Sequence, residues 1–285
     1  MNIFGVFKAI AELAGKVNVV DIIFCVGGVL VLAWWLLKTS LGTKALVHSR
    51  PRRNNMHPLW LVVVLLLWFE AGWILFFIKE KVLADLAGWK DALIDNLILC
   101  ISAIPAVVII LLTARACFAR RLKGLGLNPA TIPRDLGAGL INLIAIMPVV
   151  LAMIILTTLA GKLIVGPEFE MPRHEELKEV IAYPQWQARA MIIFTAVVVI
   201  PFTEELVFRG MLQTVLRSYI IRPWSAIMLT SLVFVAFHGN PQHWPALFAL
   251  ALCLGYTYEK SGSLFRSIFV HSFFNALSVF AALAQ

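Results

Sequence analysis

The stretch VVVIPFTEELVFRGMLQTVL, Val197 to Leu216, decides how this chain is read. Glu204, Glu205 and Arg209 stand in a run of Val, Ile, Phe, Leu and Met that otherwise has the composition of a membrane span. A charge at the centre of a bilayer costs about 2.5–3.5 kcal/mol on insertion scales, so these groups need a compensating role. Residues four apart share a helix face, which lets Glu205 and Arg209 neutralise each other. Glu204 is rotated about 100° from Glu205 and falls on a neighbouring face.

The surroundings of this stretch agree with a membrane location. The chain has 285 residues, 61% hydrophobic and 14% charged, with a mean hydropathy of +0.88. A soluble domain is about half apolar and a quarter charged, so this composition belongs to a polytopic membrane protein. The net charge is +8. Its basic residues cluster between apolar runs, with no nucleic-acid motif near them, and are read as topology determinants. Cys25, Cys100, Cys117 and Cys253 lack ligand-like spacing and suggest neither a disulfide framework nor a thiolate metal site. No cleavable signal stands out at the N-terminus.

A spanning helix needs about 20 mostly apolar residues. Segments near 17–38, 59–78, 93–115, 136–160, 188–220, 223–238, 244–258 and 264–283 are predicted as hydrophobic helices. Ahead of them, Ile3, Phe4, Phe7, Ile10, Leu13, Ala14 and Val17 recur at helical spacing, as in a helix lying on the membrane. The connection with Lys38, Lys44, Arg50, Arg52 and Arg53 is basic, as is the one with Arg115, Arg120, Arg121, Lys123 and Arg134. With eight helices, the positive-inside rule places both in the cytoplasm and both termini outside. The fold expected is an all-α polytopic bundle of about eight helices. Residues 1–185 form the N-terminal membrane helices and 186–285 a catalytic membrane core, with its cavity among the last four helices.

Other polar residues recur in the last third. His238 ends the apolar run SLVFVAFHGN, and His271 and Asn275 lie in RSIFVHSFFNALSVF. His271 and Asn275 are four apart, so their tips converge. Glu204 lies about 22 Å from the helix end near Tyr219, and His238 about 22 Å from Pro223. His271 and Asn275 lie roughly 10–16 Å past Leu264, on the same side. These depths bring the groups into one layer, and they bury the link after His238 against a cavity. The cavity is expected to open where Tyr219, Pro223 and Lys260 lie, the cytoplasmic side under the charge rule.

EELVFRG, FVAFH and HSFFN match the E-E-x-x-x-R, F-x-x-x-H and H-x-x-x-N motifs. Over roughly 186–282 the chain resembles the CPBP (Abi) family of intramembrane proteases, which includes the type II CAAX prenyl endopeptidases. That resemblance implies an endopeptidase acting on membrane-associated or lipidated protein substrates. It implies Glu204 as catalytic carboxylate, His238 as its partner in activating water, and His271 and Asn275 as oxyanion stabilisers. Glu205 and Arg209 then support Glu204. General physics suits these roles: a carboxylate in low dielectric can serve as general base near neutrality, and amide or imidazole N–H groups stabilise an oxyanion.

The family has been described both as zinc proteases and as metal-independent glutamate proteases. No cofactor is expected here, the alternative being zinc held by Glu204, His238 and His271. RHEELK at His174 starts like H-E-x-x-H but has Lys178 where the second His would stand. A rival function is a non-proteolytic membrane scaffold or bacteriocin immunity factor. A proton-coupled transporter using Glu204 and Glu70 would need repeat symmetry that the sequence lacks. Glu70, which interrupts LLLWFEAGWILFF, is read as structural or as a partner for a histidine or arginine elsewhere. The bilayer and a peptide or lipidated protein are the partners expected, in a prokaryotic cell membrane, with no nucleic acid and no oligomeric state specified.

Overall fold

Apolar runs bounded by proline, glycine and basic residues become helices. The computed structural model describes residues 45–172, 175–220 and 222–284, with positions 23, 26–31, 33 and 34 ahead of them. Helix α1 (Leu59–Val82) follows Pro58 and leads to α2 (Trp89–Cys117). Helix α3 (Ile132–Ile164) begins with proline in its first turn, and α4 (Glu175–Ala182) is short. Then come α5 (Trp186–Tyr219), α6 (Pro223–Ala236), α7 (Trp244–Ser261) and α8 (Leu264–Leu283).

Helices α1, α2, α3, α5 and α8 are long and apolar enough to cross a membrane. The protein is an all-α, multi-pass membrane protein, as its composition requires. Among the described residues, β-pairing is limited to an isolated bridge between Asn54 and Phe118. Every segment predicted between residues 59 and 283 contains a helix. The expected interfacial helix, Cys25 and most of the predicted 17–38 span lie outside the described residues.

Helix α5 sits centrally, packed against α2, α8 and α6, while α3 packs against α7 and α8. One core joins Leu206, Phe208 and Met211 of α5 to Ile110 of α2, Phe234 of α6 and Tyr258 of α7. Two stretches of α5, Thr195–Val199 and Leu206–Gln213, are π-wound. Such wider turns recur at functional sites. Pro201 explains the first: without an N–H it cannot serve the carbonyls of Ala196 and Val197 one turn earlier.

At the end of the bundle near Tyr219, two connections are clamped together. Gly126 (φ +102°) accepts a 3.0 Å bond from the Leu264 N–H. A Cβ at Gly126 would lie 2.7 Å from that nitrogen, so glycine is required. The first basic connection forms a strap over the same end. Arg52 donates to the Tyr258 carbonyl at 3.1 Å and lies 3.5 Å from the Tyr258 ring centroid. Ser49 donates to Glu259, which Arg217 also pairs at 2.7 Å, and Lys260 donates to the Ala45 carbonyl at 2.8 Å.

Candidate active site

The E-E-x-x-x-R stretch retains its expected pairing although its backbone is π-wound. Arg209 Nη1 donates to Glu205 Oε1 at 2.7 Å, with both side chains fully buried. Arg209 Nη2 donates to the Ala251 carbonyl at 3.2 Å, and its guanidinium lies 4.6 Å from the Phe234 ring. A buried charge is tolerable only when paired and hydrogen-bonded, and this one is both.

Glu205 does more than hold Arg209. Its Oε2 accepts from the Ser267 hydroxyl at 2.5 Å, and its Oε1 lies 3.1 Å from His271 Nδ1. A carboxylate only accepts, so His271 carries its proton on Nδ1 and turns Nε2 towards Glu204 Oε2, 3.8 Å away. Sequence reasoning missed Ser267. The signal was available: it precedes His271 by four residues, on the same face of α8.

His238 is fixed by the same logic. Its Nδ1 lies 2.8 Å from the Phe234 carbonyl, which leaves Nε2 as an acceptor. The Phe234 ring sits 4.5 Å from the His238 ring and 5.9 Å from that of His271, so one aromatic side chain positions both. Asn275 Nδ2 donates to the Ala196 carbonyl at 2.8 Å, the group that Pro201 leaves without a helical donor.

Glu204, His238, His271 and Asn275 all line one cavity of about 590 Å³. Aromatic walls come from Trp68 and Phe69 of α1, Phe208, Phe237 and Phe274, and Asn240 and His243 contribute from the α6–α7 link. Glu204 Oε2 is buried without a hydrogen-bond partner among the described residues. No group of three or more His, Cys, Asp or Glu side chains among the described residues is arranged to hold a metal ion.

The direction of opening departs from expectation. Leu177 of α4, the Gly239–His243 link, and Ser278 and Val279 near the end of α8 line the cavity, whereas Tyr219, Pro223 and Lys260 do not. The cavity therefore faces the end of the bundle opposite to the predicted one. Helix α6 explains it: 14 residues make about 21 Å, well short of the roughly 30 Å hydrocarbon core. A depth of about 22 Å from Pro223 already puts His238 nearer the far surface, and the space beyond α6 is the cavity.

The cavity, with a few polar side chains among aromatic walls, is sunk into a bundle of helices apolar enough to cross a membrane. Residues 185–277, from the start of α5 into α8, match the model described as "Type II CAAX prenyl endopeptidase Rce1-like", so the family resemblance carried by the three motifs holds over those residues. A 24.3 kDa Escherichia coli protein described as uncharacterized is 27% identical over 115 residues, which cover 39% of this chain and 53% of that protein. The chain thus spans about half the length of that relative. No solved structure matches.

Proposed function

We propose that the protein is an intramembrane endopeptidase that hydrolyses peptide bonds of membrane-associated or lipidated protein substrates. The observation carrying this reading is Glu204 Oε2, buried at the cavity with no hydrogen-bond partner among the described residues and 3.8 Å from His271 Nε2. Glu204 and the bare Nε2 of His238 orient a water for attack on the scissile carbonyl. Glu204 takes the water proton and later returns it to the leaving amine, balancing the hydrolysis. The second N–H of Asn275 and the imidazole of His271, held by Glu205 through Nδ1, stabilise the oxyanion. Glu205, Arg209, Ser267 and Phe234 act through these groups as positioning residues.

Residues 186–285 are proposed as the catalytic core and 1–185 as its supporting membrane helices. The basic connections lie at the end away from the cavity mouth, so the positive-inside rule turns the mouth away from the cytoplasm. The reading is tested with detergent-purified protein and a quenched fluorescent peptide library. Wild type is expected to cleave, in strong chelator as well, and Glu204→Ala to be inactive. Activity surviving Glu204→Ala overturns the assignment, loss in chelator revives zinc, and no cleavage by wild type favours the scaffold.

A further inference from the structure

Helix α1 carries a carboxylate that the proposed reaction does not use. Glu70 lies 11 residues after Leu59 and 12 before Val82, about 16–18 Å from either end and thus at mid-membrane. It is exposed, in a stripe formed by Val62, Val63, Leu66, Phe69, Trp73, Ile74 and Phe77 at helical spacing, all exposed and apolar. No hydrogen bond or ion pair engages it among the described residues. Of the two cations on its own helix, Lys79 is taken by Asp91 and Asp95 at 2.6 and 2.5 Å, and Lys81 lies over the Phe77 ring. In the N-terminal segment, Gly27 and Gly28 pack on α3, against Ile144 and Pro148.

We infer that this stripe docks the transmembrane helix of a substrate bearing a cationic side chain at mid-depth, which pairs with Glu70. An ionisable group facing lipid at the bilayer centre is retained only where something pays back its insertion, and an opposite charge at the same depth does so most directly. A second copy of the chain would set two carboxylates together and fits worse. The substrate is favoured because the stripe borders the cavity: Phe69 lines it and stacks on Phe237 at 5.8 Å. A helix on the stripe would therefore feed its chain towards Glu204. The inference rests on the protease reading for the word substrate, but not for the docking itself.

The test uses the full chain in phosphatidylcholine vesicles and two synthetic Leu/Ala transmembrane peptides, one with a central Lys and one with Leu there. Binding is read by energy transfer between labelled protein and peptide. The Lys peptide is expected to bind wild type about tenfold more tightly than the Leu peptide. Glu70→Leu should abolish that preference and Glu70→Asp retain it, with cleavage of a short soluble peptide unchanged in both. Equal binding of the two peptides by wild type, or an undiminished preference in Glu70→Leu, overturns the inference. So does a preference unmoved while Glu70→Leu dissociates a dimer. A protein that prefers the Lys peptide but cleaves nothing upholds docking and sinks the protease reading; cleavage without preference does the reverse.

Discussion

Helices α1 and α5 are both apolar enough to cross a bilayer, yet 6% of the apolar window is buried in α1 and 50% in α5. Hydropathy identifies both as spans and cannot rank them. Their charges can: Glu205 and Arg209 of α5 are buried, paired and hydrogen-bonded, whereas Glu70 of α1 is exposed. A central helix carries polar groups that its neighbours satisfy, and a peripheral helix presents an apolar face to lipid.

The contrast can be broken most severely at α5. Glu204→Gln is expected to reduce cleavage of a fluorescent peptide about 10³-fold, within the range of general-base loss, with an unchanged melting temperature. Arg209→Met should destabilise the protein by roughly 3–5 kcal/mol by stranding Glu205, read by thermal unfolding in detergent. Glu205→Gln combined with Arg209→Met should recover much of that stability, but not activity, because His271 loses its anchor. Ser267→Ala removes a hydrogen bond to a charged acceptor and should cost about 1.5–3 kcal/mol, seen as a lowered melting temperature and slower cleavage. At the other extreme, Leu66→Ala on the lipid face of α1 should change stability by less than about 0.5 kcal/mol. A large effect there would show that α1 is not peripheral.

Much of this was legible in the sequence. Long apolar runs specify their helices because the bilayer demands internally satisfied backbone, and the four-residue spacing of Glu205 and Arg209 specifies their pairing. The π winding was not legible: Pro201 signals a disturbed turn, but the satisfaction of the Ala196 carbonyl by Asn275 is a contact between distant helices. The spacing of Ser267 to His271 marked it as a candidate, but its acceptor Glu205 lies on another helix and has no local mark. The cavity mouth was misassigned because depth was counted from Pro223 without weighing it against the far surface: about 22 Å into a roughly 30 Å core, His238 is already nearer the other side. The 14-residue length of α6 shows which surface His238 approaches.

The strap formed by the first basic connection has a consequence in time. Arg52 and its partner Tyr258 are 206 residues apart, and Lys260 and Ala45 are 215 apart. At about 5–20 residues per second, the ribosome needs roughly 10–40 s to make the intervening chain. The strap is thus synthesised well before α7 and cannot dock until α7 has been made. During that interval it remains open to proteases and chaperones on its side of the membrane, and its protection marks the moment at which α7 has arrived.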